Sequence, residues 1–563
     1  MPQLFKFFII CCLIIIQFSV SSQNSSQQII EQTFKNKKEI YFSFQFESRS
    51  MLNQFSKIIS IDKIDEKKAF AYANRKGFEK FLEKDIPFDL LNHPNFEFKP
   101  EMYNSNLKKS YEWNQYLSYE DYTTMMYRFA ADFPEICQVF SLGQTIEGRE
   151  ILVAKISDNI QTKEAEPQFF YTAQMHGDEL VTSILTLRLI DYLTQNYGTD
   201  SQVTHLVNSI EIWINPMANP DGTYAGGNAT VSGATRFNAN AIDLNRNFPD
   251  PQDGLHPDGN AWQTETLVFM SQAENQNFVM SANLHSGAVV VNYPWDTWEI
   301  RHADDDWWQL VSHEYADLAQ LNSPPGYMES YNDGIVNGYD WYEVDGGRQD
   351  YMNYFQQCRE FVLELSIQKM LPASELPAYW DYNRQAMLNY LEQVTYGFRG
   401  TTKDEDTGEA IVAKVEIEGH DYNESHVFSD ENGNFYRPIK SGLYNLKFSA
   451  PNYVSKTVSN QLIADFSSKI IDISLKPINS GVDNDLNSKI TITNPVLNGI
   501  LHIEADIRLH HLRIFSAIGQ LIIDTPVNNT TLEINLNPFT KGVYFVELQL
   551  DNGTIRQEKI ILP

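Results

Sequence analysis

His176 and Glu179 stand three apart in the stretch Tyr-Thr-Ala-Gln-Met-His-Gly-Asp-Glu-Leu, residues 171 to 180, directly after a mostly apolar run at 169 to 173. An apolar run that ends in a polar turn reads as a strand opening onto a loop at its carboxyl end. In α/β sheets that is the side where ligand sites gather. A histidine and a glutamate at this spacing can face the same way and touch one metal ion. The pair is weak by itself. Acids fill 73 of 563 positions, so roughly one histidine in eight has an acid at +3 by chance. His302 and Asp305 share the spacing with no strand in front. A metal site therefore needs partners from elsewhere in the chain.

Several other stretches place polar groups where they could serve as partners. The strand-like run 210 to 215 ends in the rigid turn Pro216-Met-Ala-Asn-Pro-Asp-Gly222, and Arg236-Phe-Asn-Ala-Asn-Ala-Ile-Asp-Leu-Asn-Arg-Asn-Phe-Pro249 follows. Asn283-Leu-His285-Ser-Gly closes another apolar run, and Trp341-Tyr-Glu-Val-Asp-Gly-Gly-Arg-Gln-Asp350 comes later. In Phe361-Val-Leu-Glu364-Leu-Ser366 a carboxylate stands inside an apolar run, which is costly unless the group is paired or functional. Read singly, these residues have ordinary explanations: Arg246 a salt-bridge partner, Tyr342 a surface ring, Asp243 a turn or helix cap.

The elements that must position these residues follow from periodicity. Ser118 with acids behind it reads as a helix start. Strand patterns appear at 136–141, 151–156, 169–173, 209–215, 278–284 and 361–366, and helical patterns at 179–196, 264–276, 306–318 and 381–394. In the first of these helices Val181, Leu185, Leu189 and Leu193 form one stripe. Strands alternating with helices of this length predict a mixed sheet covered on both faces. After Gly397 helices vanish, and Thr407-Gly408, Asn432-Gly433, Ser441-Gly442 and Pro451-Asn452 punctuate short alternating runs, as in a small β-sandwich. Residues 478–488 read as a polar linker and 489–563 as a second all-β unit. Upstream, 23–108 is Lys- and Phe-rich, with strand patterns at 39–46 and 57–64 and a short helix near 77–83. It holds no chemical constellation and is expected to be a pro-segment, with a structural N-terminal domain as the alternative.

Length and composition bound the rest. A chain of 563 residues implies three or four domains, and 42% hydrophobic with 13% aromatic residues marks an ordered protein. A net charge of −30 argues against nucleic acid as a partner. Lys6, the apolar run 7–20 and Ser21-Ser22-Gln23 read as a secretory signal peptide over 1–22, too short for a comfortable membrane span. No other segment reads as a span. Cys11 and Cys12 fall inside that signal, leaving Cys137 and Cys358 either to pair or to stay as two buried thiols.

Taken in order, these blocks resemble the zinc metallocarboxypeptidases, in their carboxypeptidase N/E-like branch. The resemblance rests on His-Gly-Asp-Glu, Asn-Pro-Asp-Gly, Arg-Phe-Asn-Ala-Asn with Asp-Leu-Asn-Arg-Asn-Phe-Pro-Asp, Leu-His-Ser-Gly with Asn-Tyr-Pro-Trp-Asp, Gly-Gly-Arg-Gln-Asp-Tyr, and Leu-Glu-Leu-Ser with a following lysine. It covers about residues 115 to 395 and implies an α/β/α sandwich around a mixed eight-stranded sheet for 109–396. It implies that His176, Glu179 and His285 bind one zinc ion, with water in the fourth position. Glu364 matches the general base, Arg236 the oxyanion stabiliser, and Asn245 with Arg246 the clamp on the substrate's terminal carboxylate. Tyr342 matches the ring that closes over the bound C-terminus, and Asp243 the carboxylate that orients the first zinc histidine. Asp296 matches the acid that selects a C-terminal Lys or Arg, and Gln349 another pocket position typical of the branch. Arg348 departs from the pattern, since relatives usually carry Met there, and a guanidinium in the pocket would blunt a basic preference.

The β-units have resemblances too. Residues 397–477 are similar to the transthyretin-like sandwich that follows the catalytic domain in this branch. Residues 489–563 resemble a type IX secretion C-terminal sorting domain, through Asn494-Pro495, Ile514-Phe-Ser-Ala-Ile-Gly-Gln520, Lys541-Gly-Val-Tyr544 and Lys559-Ile-Ile-Leu. The implied protein is a peptidase exported through the periplasm, secreted or surface-attached, acting on peptide and protein C-termini and engaging the secretion machinery. The competing readings are a related zinc amidase or cell-wall peptidase on the same fold, and a catalytically inactive surface-binding protein.

Overall fold

A computed structural model describes residues 30–35, 37–95, 97–104, 111–478, 490–496, 499–516, 521–551 and 555–562. The expected signal peptide with Cys11 and Cys12, nearly all of the expected linker, and residues 517–520 of the sorting-domain motif lie outside them. The chain divides into two compact units, 1–477 and 478–563.

The first unit is built on an eight-stranded mixed sheet. Its strands are β5 (Cys137–Gln144), β6 (Glu150–Ile156), β7 (Gln168–Ala173), β8 (Glu211–Asn215), β9 (Phe278–His285), β10 (Val289–Tyr293), β11 (Ile335–Asn337) and β12 (Arg359–Leu365), in the order β11-β10-β12-β9-β7-β8-β6-β5. The strands β12, β9, β7 and β8 run parallel at the centre, while β6 and β5 on one side and the β10–β12 pair on the other are antiparallel. Strands β7, β8 and β9 are buried along their whole length, as near-continuous apolar runs in a two-sided sheet must be. Successive residues of β7 divide between the two layers: Phe169 and Tyr171 belong to one core, Phe170 to the other.

Helices cover both faces. On one side lie α3 (Tyr119–Asp132), α4 (Leu180–Asn196), α6 (Asp305–Leu321) and α8 (Leu376–Gln393); on the other lie α5 (Thr264–Asn275) and α7 (Arg348–Phe355). The four stripe residues of α4 are buried as the pattern predicts. Its Thr182, Ser183 and Thr186 are buried too, and each hydroxyl donates to a helix carbonyl, which makes the polar burial affordable. The five residues of β10 and three of β11 escape the sequence reading because a period of two does not show in so short a run.

Ahead of the large sheet, β1 (Glu39–Gln45), α1 (Arg49–Ser56), β2 (Ser60–Asp65), β3 (Lys68–Asn74), α2 (Arg75–Leu82) and β4 (Phe88–Leu90) form an antiparallel sheet of order β2-β3-β1-β4 under two helices. Phe42, Phe44, Phe55, Phe78 and Phe81 fill its core. The strand expected from residue 57 begins at 60 instead. Ser48 caps α1 by accepting from the Met51 amide, and Lys57 to Ile59 close that helix through bonds back to Phe55. Beyond α8, residues 397–475 form two sheets enclosing Phe398, Val415, Phe435, Leu446 and Phe448.

Cys137 and Cys358 are both buried and unpaired. Burial pushes each thiol up to about 12. The open choice between a disulfide and two buried thiols is settled as two thiols.

The second unit is a five-stranded antiparallel sheet. Ile490–Ile492, Ile500–Ser516, Gly542–Leu550 and Ile555–Leu562 pair in that order, and Leu521–Asn535 pairs along Ile500–Ser516. Leu501, Ile503, Leu512, Ile514, Val546, Leu548 and Ile560 form its core.

A buried charge cluster fastens the sandwich at 397–475 to the large sheet. Asp304, fully buried at the start of α6, accepts from Arg437 of the sandwich through both of its oxygens at 2.9 Å and from Arg359 of β12 at 2.9 Å. Taking away one member of such a set strands the others as buried charges. Asp304→Ala is expected to destabilise the first unit by about 3–5 kcal/mol, read as a fall in Tm and in the denaturant midpoint.

Candidate zinc site and substrate cleft

The pairing of β7 with β9 places the sequence motifs side by side. Ala173 is in register with Leu284, so the turn after β7 and the last residue of β9 emerge at the same edge. His176 and Glu179 occupy that turn, before α4, and His285 ends β9. Gly177 allows the turn to back onto Asn-Pro-Asp-Gly: a Cβ there would lie 2.3 Å from the Gly222 backbone.

The three side chains converge. His176 Nδ1 lies 2.9 Å from one Glu179 oxygen, His285 Nδ1 lies 2.9 Å from the other, and the two ring nitrogens are 3.1 Å apart. All three are buried, and their ligand atoms fall within 4.8 Å of one another. Two imidazoles and one carboxylate with a side left open is the donor set of a catalytic zinc site. Asp243 lies 3.0 Å from His176 Nε2; a proton held there leaves Nδ1 to offer its lone pair to a metal. The residues fit the ion. The mimic pair is different: His302 faces the Asp304 cluster, and burial pushes its imidazole down to about 3.

Arg236 donates to the same Asp243 through Nε and Nη2, both at 3.0 Å, leaving Nη1 3.7 Å from Glu179. Burial raises the Asp243 carboxyl, but Arg236 and His176 outweigh it and hold the group well below the usual carboxylate range. Glu364 lies opposite His285 in the β9–β12 register, with one carboxylate oxygen buried and unbonded. Burial, then the charge of Glu179, pushes it up to about 8, and a dication at the three ligands would draw it back down.

These groups line a cleft of about 560 Å³ together with Asn245, Arg246, Asp296 and Tyr342. Arg246 is buried, yet its Nε and Nη2 have no hydrogen-bond acceptor among the described residues; only Nη1 is used, on the Asn245 carbonyl at 2.7 Å. Buried guanidinium N–H groups without acceptors call for an anion. Asp296 is buried, accepts from Asn292 at 3.0 Å, and is pushed up to about 6 by burial. Gly338 makes room for it: a Cβ there would sit 1.7 Å from its oxygen.

The structure places the two neighbouring positions Arg348 and Gln349 away from the cleft. Arg348 does not enter the pocket. Its guanidinium pairs with Glu360 at 2.8 Å, donates to Thr172, and lies over Phe170 and Phe269, while its backbone amide steadies the Asn245 side chain at 2.9 Å. Gln349 is buried without a bonded amide atom and is not among the residues lining the cleft, since the first turns of α7 face the core. Sequence reasoning assigned no role to Lys369, the lysine that follows Leu-Glu-Leu-Ser, and did not mark Ile61 and Asp62 as cleft residues. Lys369 places its ammonium 3.4 Å from Glu179 and 2.7 Å from Asp62, and Tyr342 donates to the Ile61 carbonyl at 3.5 Å. Nothing in the pattern of 60–65 marked Ile61 and Asp62 as neighbours of the site.

Two substitutions separate the metal site from its surroundings. Asp243→Asn is expected to weaken zinc binding by about 10–100-fold, and Glu364→Gln to leave it unchanged. Competition with a chromogenic chelator reads both.

The zinc carboxypeptidase family model matches residues 122–386, and a secretion system C-terminal sorting domain matches 493–562. Human carboxypeptidase D is 36% identical over 392 residues, 66% of this chain but only 27% of that protein, so the chain spans about a quarter of that relative's length. Carboxypeptidase SOL1 of Arabidopsis thaliana is 34% identical over 366 residues, 62% of this chain and 72% of that protein. The catalytic chain of human carboxypeptidase N is 32% identical over 382 residues, 61% of this chain and 81% of that protein. With relatives matched along most of their length and the His-Glu-His set assembled at the edge of the sheet, this chain belongs to the zinc carboxypeptidase family.

Proposed function

We propose that the protein is an exported zinc carboxypeptidase that releases single C-terminal residues, preferring Lys or Arg, from peptides and proteins. The observation that carries this is Arg246, buried in the cleft beside the ligand set with two guanidinium nitrogens unmatched. Such a clamp suits a terminal carboxylate, which takes two parallel N–H bonds, and it favours exopeptidase action over a cell-wall amidase. A complete ligand set with Glu364 in place counts against an inactive binding protein.

Zinc bound by His176, Glu179 and His285 would acidify a water and polarise the scissile carbonyl. Glu364 takes the proton of that water and passes it to the departing amine. Arg236, fixed by Asp243, points Nη1 toward the ligand set, where it meets the charge developing on the carbonyl oxygen. Asn245 and Arg246 hold the terminal carboxylate, and Tyr342 closes over it once its hydroxyl leaves Ile61. Asp296 receives the basic side chain, and Arg348, spent on Glu360, leaves that charge uncancelled. Through the domain at its C-terminus the chain engages a secretion machinery and reaches the outside, free or surface-attached. Ile61 and Asp62 of β2 line the same cleft.

Matched peptides ending in Arg, Lys, Leu and Glu test the reading. Arg and Lys are expected to be released at least ~10-fold faster than Leu; release of Leu but not Arg would sink the role of Asp296. The preference should also depend on pH. The Asp296 carboxyl titrates at about 6, so its charge is present above that pH and lost below it. The Arg-to-Leu ratio of kcat/KM is therefore expected to fall between pH 7.5 and pH 5, and Asp296→Asn to lower the ratio and flatten its profile.

A further inference from the structure

Loop 234–243 carries both Arg236 and Asp243, and hydrogen bonds from the N-terminal domain span it from end to end. Asn95 donates to the Ala234 carbonyl at 3.2 Å, Lys38 to that of Ala239 at 2.6 Å, and Asn74 to that of Ala241 at 2.7 Å. Ser60 donates to Asp243. The central contact is Glu39, the first residue of β1, which is fully buried. Its two oxygens accept the backbone amides of Arg236 at 3.1 Å and Phe237 at 3.2 Å, and His93 Nε2 lies 2.7 Å from one of them.

The loop needs this support. Arg236 and Asp243 grip each other, and His176 holds the Asp243 end, so the backbone under Arg236 is the end that still has to be fixed. Within the large domain the stretch is tied by the Thr235 amide on the Gly222 carbonyl at 2.8 Å, by the Gly177 amide on the Arg236 carbonyl at 3.3 Å, by Asn238 and Asn240 on Gln263 and Glu265, and by Asp243 on His176, but none of these reaches the amides of Arg236 and Phe237. Ala241 holds φ at +59°, a conformation that disfavours a Cβ, and its carbonyl is the one Asn74 takes. Were the N-terminal domain withdrawn, the amides of Arg236 and Phe237 would lose their acceptor beside the metal ligands.

We infer that Glu39 is a positioning residue for Arg236, and that the N-terminal domain is a splint on the catalytic loop and a working part of the site. The catalytic consequence rests on the carboxypeptidase reading; the structural claim does not. The same domain also puts Ile61 and Asp62 in the cleft, so the pro-segment expectation makes the opposite prediction, that loosening the domain raises activity.

The test uses the full-length, zinc-loaded chain with Glu39→Ala and Glu39→Gln, the second keeping the side chain's shape and one acceptor oxygen. Hydrogen exchange is followed at peptides covering 234–243 and, for reference, β8 and β9. Glu39→Ala is expected to speed exchange at Arg236 and Phe237 by about tenfold while the reference strands stay protected, with Glu39→Gln in between. On a peptide ending in Arg, kcat is expected to fall at least about tenfold with KM nearly unchanged and zinc content intact. Unchanged exchange at 234–243 in both variants, or equal loosening of the reference strands, overturns the splint. A rise in activity overturns it in favour of a plug. If wild type cleaves no peptide, the carboxypeptidase reading fails while the exchange experiment still decides the splint.

Discussion

The parallel pairing of β9 with β7 on one side and β12 on the other decides where every reacting group stands. Ala173 opposite Leu284 and His285 opposite Glu364 put three strand ends at one edge of the sheet. The zinc ligands and the carboxylate that would move protons therefore meet without any long loop having to be ordered. A buried strand with neighbours on both sides is among the stiffest parts of a fold, and it supplies the sub-ångström placement that proton transfer and metal ligation require. A slip of one residue between β9 and β12 would turn Glu364 to the opposite face.

The site then depends on how its charges are shared. Asp243 serves His176 and Arg236 at once, fixing a tautomer with one oxygen and a guanidinium with the other. Lys369 sits between Glu179 and Asp62, so the acid of the ligand set and the acid of the N-terminal domain draw on one cation. Arg246 is the exception, with donors left over. In a low-dielectric cleft such an imbalance is what makes a binding site, because the missing acceptor has to come from a ligand.

The first unit repeats one device at its internal boundaries: a buried side chain of one domain satisfies groups of another. Asp304 does this for the sandwich through Arg437, and Glu39 does it for the loop that carries Arg236. Such contacts cost desolvation and return little net stability, but they punish misplacement heavily. They act mainly on geometry. That explains how the N-terminal sheet, the large sheet and the sandwich at 397–475 share one compact unit around a cleft that tolerates little movement.

The sequence by itself determined the chemistry. Arg236, Asp243 and Arg246 lie between strands and were marked only by the ordered resemblance, whereas His176, Glu179, His285 and Glu364 stand in short blocks at strand ends that apolar runs announce. The mixed sheet under helices on both faces was legible for the same reason. Local pattern could not reach contacts made across long stretches of chain. The helix at 49–56 and the strands at 289–293 and 335–337 were too short or too polar to show a period, and the strand at 68–74 went unread because its apolar run does not alternate with polar residues. Whether Arg348 enters the pocket was open in the sequence, and its pairing with Glu360 decided it. The placing of Gln349 toward the core, the two free thiols, and the closeness of Asp62 and Glu39 to a site more than a hundred residues away were decided by packing alone. A hydrogen bond between distant segments leaves no periodicity in either one, so only the tertiary structure could assign it.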